Sequence, residues 1–246
     1  MLIVGNWKAY IETVAKAKSL LASAKRAAAK GGHDIVLAPP APFLGVLITG
    51  KSKIGFAAQD LSLTTGGAET GEVTAGALSG LGVAYAIVGH SERRARGETD
   101  AMVAEKVRHA LAHSITPILC IGETARDTEG KYLKRIREEI RAVYEPLSTR
   151  ERLAIVIAYE PIWAIGKAAA DAITPPDLHE MILYIRKVLG EYLEGRGPQK
   201  IRVLYGGSVE PENARSLAAG SDIDGFLVGR ASTDAPTFTK LVKAVS

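Results

Sequence analysis

The sequence predicts an α/β protein, a single closed (β/α)₈ barrel spanning residues 1–246, and three observations predict it. Eight short apolar runs occur, at residues 2–7, 34–38, 53–58, 84–88, 115–121, 154–159, 201–205 and 223–228. Each is too short for a helix and apolar on both faces, the pattern of parallel strands covered by helices on either side. Longer stretches of helical period separate them, and no linker, low-complexity tract or composition shift divides the chain. An open doubly wound sheet is the fallback, but it predicts a Gly-rich dinucleotide fingerprint after the first run, and none is present.

The connection after the third run is the least regular. Residues 61–72 are rich in Thr and Gly and have no period, and so long a loop within a compact domain is usually functional or an interaction surface. After the fifth run, Ile136, Ile140, Val143 and Tyr144 form an apolar helical stripe. After the sixth, the stripe is Leu178, Met181, Ile182, Ile185, Val188, Leu189, Tyr192 and Leu193. It is preceded by Thr174-Pro175-Pro176-Asp177, which supplies a cap, a first-turn proline and an acid three residues on. The last stripe is Phe238, Leu241, Val242 and Val245.

Composition excludes several classes. With 47% hydrophobic residues the chain is too apolar for disorder, and with one Cys in 246 residues it is no disulfide scaffold, which points to a reducing cytoplasm. The first eight residues reach Lys8 too soon for a signal-peptide core, and no run of eighteen apolar residues offers a membrane span. The net charge of +4 is scattered rather than gathered into a stripe, which argues against nucleic acid as a partner.

In a barrel of this kind the chemistry lies where the strands end. Asn6 and Lys8 follow the first run, Gln59 the third, His90, Ser91 and Glu92 the fourth, Cys120 and Glu123 the fifth, and Glu160 the sixth. The seventh and eighth runs end in Gly206-Gly207-Ser208 and Gly229-Arg230. Glycine turns there let backbone N–H groups approach a phosphate. A carboxylate and an imidazole from different strands suit proton abstraction beside a carbonyl, with the imidazole polarising the oxygen. The residues therefore read as a sugar-phosphate enzyme working by acid/base chemistry without a metal.

Five blocks carry a resemblance that covers residues 5 to about 232: Gly5-Asn6-Trp7-Lys8, Val88-Gly89-His90-Ser91-Glu92-Arg93-Arg94, Cys120-Ile121-Gly122-Glu123-Thr124, Ala158-Tyr159-Glu160-Pro161-Ile162-Trp163-Ala164-Ile165-Gly166 and Tyr205-Gly206-Gly207-Ser208-Val209. In order and spacing the chain resembles the triosephosphate isomerase family, whose fold is the TIM barrel. The resemblance implies a glycolytic and gluconeogenic isomerase that interconverts glyceraldehyde 3-phosphate and dihydroxyacetone phosphate through an enediolate, with neither metal nor organic cofactor. It makes Glu160 the base, His90 the neutral donor to the enediolate oxygen, Lys8 the fixed cation, Asn6 the residue that holds that oxygen, and Glu92 the orienter of Lys8. Backbone N–H groups of Gly166, Ser208, Gly229 and Arg230 would hold the phosphate, with residues 161–173 as a lid and Pro161 and Trp163 as its stiff first hinge. It also implies a homodimer through the loop around Thr70, and a structural ion pair between Arg186 and Asp222. Cys120 reads as packing, and His33, His109, His113 and His179 as surface or structural residues.

Three positions depart from the family pattern. Arg230 stands where a second glycine is usual; we expect a backbone without positive φ there and a guanidinium turned to solvent or an acid. The segment Lys167-Ala168-Ala169-Ala170-Asp171-Ala172-Ile173 is long and Ala-rich, which favours helix in the second half of the lid. Glu69 replaces an aromatic in the long loop, which suits a wetter dimer interface. The longer lid keeps an isomerase of a four-carbon sugar phosphate as one alternative, and a non-catalytic phosphate-binding protein on the same scaffold is another.

Overall fold

The computed structural model describes residues 1–50, 52–166, 173–193 and 197–246. Among these, eight parallel strands follow one another around a closed barrel: β1 (Leu2–Asn6), β2 (Asp34–Ala38), β3 (Ile54–Ala58), β4 (Tyr85–Val88), β5 (Thr116–Ile121), β6 (Val156–Tyr159), β7 (Val203–Tyr205) and β8 (Gly225–Val228). The β1–β8 pair closes the sheet, with Leu2 opposite Gly225 and Gly5 opposite Val228. The last residues of the predicted runs agree with these strands to within one position, whereas several strands begin later than their runs. Ile155, Ile201 and Ile223 explain the difference, because each is buried beneath the helices before its strand enters the ladder.

Side chains alternate across the barrel wall, as the strand period requires. Leu2, Val4, Val36, Ala38, Ile118, Cys120, Val156 and Ala158 pack inside the barrel. Ile3, Ile35, Leu37, Leu119, Ile121, Ile157 and Tyr159 pack outward against the helices. Asn6 lies two residues beyond Val4 and Glu160 two beyond Ala158, so both stand in register with the inward series at its open end. Lone Cys120 is part of that inner packing, and burial together with the nearby Glu160 charge holds its thiol well above the usual range.

The surrounding helices are α1 (Val14–Gly31), α2 (Ala41–Leu47), α3 (Ala75–Gly80), α4 (Ser91–Arg94), α5 (Asp100–Ala112), α6 (Lys131–Tyr144), α7 (Thr149–Arg152), α8 (Pro175–Gly190), α9 (Pro211–Gly220) and α10 (Ala235–Ala244). Thr174 caps α8 by accepting from the Asp177 N–H, with Pro175 in the first turn. Ile136, Ile140, Val143 and Tyr144 are buried along α6, as are Phe238, Leu241 and Val242 along α10. Helix α8 stops at Gly190, so Tyr192 and Leu193 of the predicted stripe lie in the turn beyond it. The short helices α4 and α7 are local turns of four residues without an apolar stripe to announce them. The long loop is closed at its base by the Ser62 N–H on the Val73 carbonyl, at 2.9 Å, and Glu69 and Thr70 are exposed at its tip.

Arg186 makes the predicted ion pair with Asp222, at 3.9 Å, and a closer one with Asp224, at 3.0 Å. The Asp222 carbonyl also accepts from the Arg186 Nη2 at 3.2 Å. Asp222 has φ of +55°, a left-handed turn that sends its carboxylate toward solvent, and Asp224 also accepts the Val203 N–H at 2.7 Å.

Barrel closure leaves no room at one glycine. A Cβ on Gly225 would stand 1.8 Å from the Leu2 carbonyl oxygen, so any side chain there forces β8 away from β1. Gly225→Ala is therefore expected to cost about 4 kcal/mol or more, or to prevent folding. Urea unfolding measures it, and a stability within about 1 kcal/mol of the natural protein would show the seam to be pliable.

Candidate active site

Asn6, Lys8, His90, Glu160, Gly166, Ser208, Gly229 and Arg230 line one cleft at the strands' C-terminal end. Glu92 alone of the predicted set stays outside that lining; its carboxylate is more than half exposed and grips the Lys8 ammonium at 2.6 Å. Partial burial raises the Glu92 carboxyl, but the hydrogen bond and charge of Lys8 outweigh it and hold the group below its ordinary range. Glu92 thus fixes where the Lys8 charge sits.

Lys8 has φ of +46°, a conformation that costs a non-glycine residue about 1 kcal/mol. Two side chains hold it. The Asn6 Oδ1 accepts the Lys8 N–H at 3.0 Å, and the Gln59 Nε2 donates to the Lys8 carbonyl at 2.8 Å and to Ala38 at 2.9 Å. Gln59 stood out in the sequence only as a polar residue at a strand end. Its task depends on β1, β2 and β3 lying side by side, which one sequence position does not display.

His90 caps α4, and its Nδ1 accepts the Glu92 N–H at 3.1 Å. A ring nitrogen that accepts a backbone N–H carries no proton, so this imidazole is neutral with its hydrogen on Nε2. That Nε2 lies 3.2 Å from the Glu160 Oε1, while the Glu160 Oε2 accepts the Ser91 N–H at 3.1 Å. Glu160 is only 2% exposed. Two glycines make room for it: a Cβ on Gly122 would meet the Glu160 carbonyl oxygen at 1.8 Å, and one on Gly206 would meet its Cγ at 2.9 Å.

Beyond Glu160 the chain makes a short turn at Ile162–Ala164 and reaches Gly166 at φ of +76°. The Trp163 Nε1 donates to buried Glu123 at 2.8 Å, which also accepts the Tyr159 hydroxyl at 2.8 Å, and the Arg126 guanidinium lies 5.2 Å from the Trp163 ring centre. The Ser208 hydroxyl donates to the Ala164 carbonyl at 2.9 Å, tying this turn to the β7 loop. The predicted helix in the second half of the lid falls on residues 167–172, outside the described residues. Arg230 begins a short helical turn without positive φ, and its guanidinium pairs with Glu210 at 2.9 Å. Its N–H is therefore free of any glycine requirement. Tyr10 and Glu210 also line the cleft and were not singled out from the sequence.

Glu139, on α6, is a further buried carboxylate that the sequence reading passed over. It lies at the i+3 position of the stripe that begins at Ile136, an acid where an apolar residue is expected, and that irregularity was its only signal. Its Oε2 accepts the Gly122 N–H at 2.8 Å.

A closed parallel barrel with glycine turns after its last two strands, and with a neutral imidazole facing a buried carboxylate, defines an enzyme that moves protons on a small anionic substrate. The comparisons with known proteins narrow this class. The triosephosphate isomerase family model matches residues 1–245. The triosephosphate isomerase of Thermus thermophilus is 41% identical over 247 residues, covering 99% of this chain and 98% of its own. That of Moorella thermoacetica is 40% identical over 98% of this chain and 97% of its own, and that of Roseiflexus castenholzii is 41% identical over 100% and 97%. The chain belongs to the triosephosphate isomerase family.

Burial pushes the Glu139 carboxyl up to about 7 from an ordinary 4.5, against the lowering effect of Arg94, Arg135 and the Gly122 N–H. Between 4.5 and about 7 the folded protein keeps a proton that the unfolded chain has lost, so this group makes stability fall as pH rises through that window. Glu139→Gln cannot titrate. Relative to the natural protein the variant is expected to gain about 3 kcal/mol in unfolding free energy across the window. Urea unfolding at its two ends is the measurement, and parallel pH dependences of the two proteins would refute the shift.

Proposed function

We propose that this chain interconverts glyceraldehyde 3-phosphate and dihydroxyacetone phosphate, as one catalytic unit over residues 1–246. The single observation that carries the reading is the meeting of Lys8, His90 and Glu160 in one cleft whose far side is glycine turns. Glu160, as carboxylate, takes a proton from the carbon beside the carbonyl. The electron pair left behind forms the carbon–carbon double bond, and negative charge builds on the former carbonyl oxygen. The His90 Nε2–H and the Lys8 ammonium stabilise that oxygen as the charge develops. Returning the proton from Glu160 to the neighbouring carbon, with exchange of the hydroxyl proton through His90, completes the isomerisation. Asn6 supports this arrangement by holding Lys8, and Glu92 by orienting its ammonium.

The phosphate sits against the backbone N–H groups of Gly166, Ser208, Gly229 and Arg230. Residues 161–173 serve as the lid that excludes water, with Trp163 anchoring its first turn on Glu123. No organic cofactor or metal is required by a proton transfer of this kind. Full-length likeness to proteins named triosephosphate isomerase does not favour the four-carbon sugar phosphate or the non-catalytic reading.

The working form we propose is a homodimer in the cytoplasm. The exposed loop tip at Thr70 and the exposed Leu63 and Val73 at the loop's base support the dimer. The lone Cys120, buried as a thiol, supports the compartment.

A coupled assay comparing three- and four-carbon sugar phosphates tests the activity. The three-carbon substrate is expected to be strongly preferred, and Glu160→Gln to lower kcat by about a thousandfold. Turnover that survives this change would overturn the assignment of the base. Sedimentation at micromolar concentration is expected to give the mass of two chains, and a single-chain mass would overturn the dimer.

A further inference from the structure

We propose that Glu139 is a positioning residue for this reaction: one buried carboxylate that holds the catalytic imidazole and the catalytic base in register by gripping the main chain beneath each. The inference rests on the assignments of Glu160 and His90 above.

The first grip runs through one peptide unit. The Glu139 Oε2 accepts the Gly122 N–H at 2.8 Å, and the carbonyl of that same Ile121–Gly122 peptide accepts the Glu160 N–H at 2.8 Å. An anion on the N–H end polarises the peptide and strengthens the acceptor at its other end. Slack is absent between the two, because the Gly122 Cα already lies against the Glu160 carbonyl, where a Cβ would stand 1.8 Å from the oxygen. Any tilt of this peptide therefore displaces the backbone of the base.

The second grip runs through an arginine. The Glu139 Oε1 lies 2.8 Å from the Arg135 Nη2 and 3.6 Å from the Arg94 Nε. That Arg94 Nε donates to the Gly89 carbonyl at 2.8 Å, which belongs to the peptide leading into His90. Gly89 has φ of +72° there, so the turn that presents the imidazole is held from below by Arg94. The groups facing Glu139 are Arg94 from α4, Asp100 from α5, Arg135 from its own helix and the Cys120 thiol from β5. Asp100 pairs with both arginines, so two cations are shared by two carboxylates.

A carboxylate at 1% exposure costs the fold stability, yet its two anchor points are the main chains under the two proton-transferring groups. Protonating it weakens its hold on Arg94 and on the Gly122 N–H together. Since burial moves that event to about 7, the register of the site becomes a function of neutral pH, tighter above this value and looser below.

Steady-state kinetics on Glu139→Gln test this, because glutamine keeps an oxygen for the Gly122 N–H and loses the charge. At about pH 8.5 kcat is expected to fall about fivefold with KM changed less than about twofold, and near pH 6, where the natural protein has taken up its proton, the difference shrinks below about twofold. Arg135→Gln, at a partly exposed position, serves as a second variant. Removing that cation is expected to move the acid limb of kcat toward higher pH by about half a pH unit. A kcat ratio for Glu139→Gln that is the same at every pH, or an acid limb unmoved by Arg135→Gln, would overturn the positioning role. If Glu160→Gln is inactive in the same assay, either result removes this proposal alone. Activity surviving Glu160→Gln removes the assignment of the base and this proposal with it.

Discussion

Closure of the barrel is the constraint on which the other features depend. Pairing β8 with β1 leaves no sheet edge, satisfies the ladder of every strand from a neighbour, and fixes all eight carboxyl ends on one rim. Residues 154 positions apart in the chain, Asn6 and Glu160, then face the same cleft without any contact needed to draw them together. The closure is tight enough that Gly225 has no space for a side chain. A rigid wall of this kind lets loops vary while the strand-end residues keep their mutual geometry.

On that rim the electrostatics are arranged by main-chain donors as much as by side chains. The Glu92 N–H decides the tautomer of His90 by occupying Nδ1, and the Ser91 N–H holds one oxygen of Glu160. The Lys8 ammonium meets Glu92 at the surface side while its strained backbone is held by Gln59 from below. Each group to which we assign a part in the reaction is thus fixed by a neighbour outside it, and fixed dipoles need no reorganisation when charge moves. The strain at Lys8 is the local cost of presenting a cation from a strand end.

The parts of this plan legible in the sequence are those with a period or a motif. Eight apolar runs announced the strands, and Thr174-Pro175-Pro176-Asp177 announced the start of α8, because burial and capping leave a local mark. The residues that meet in the cleft were legible through blocks of neighbouring residues. What stayed hidden depends on contacts between distant segments. Gln59 acts on Lys8 across three strands, Asp224 joins Asp222 on Arg186 as the closer carboxylate, and Glu139 breaks an otherwise apolar stripe without saying what it faces. Strand starts were blurred for a related reason, since burial under the helices extends past the last ladder bond at Ile155 and Ile223.

Arg230 shows how a turn to which we assign phosphate binding tolerates a change that looks severe. A glycine is needed at such a turn only where φ is positive or where a ligand approaches too closely for a Cβ; otherwise the N–H is available from any residue. The turn at Arg230 has no positive φ, so its backbone conformation leaves the position free to carry a long side chain. An unpaired guanidinium at the mouth would add a second cation to an anion site and slow the departure of a charged product. Glu210, one residue before α9, takes up that charge at 2.9 Å. The pair therefore offsets the Arg230 charge at the mouth of the cleft, leaving Lys8 as the cation for which we propose a place beside the substrate oxygen.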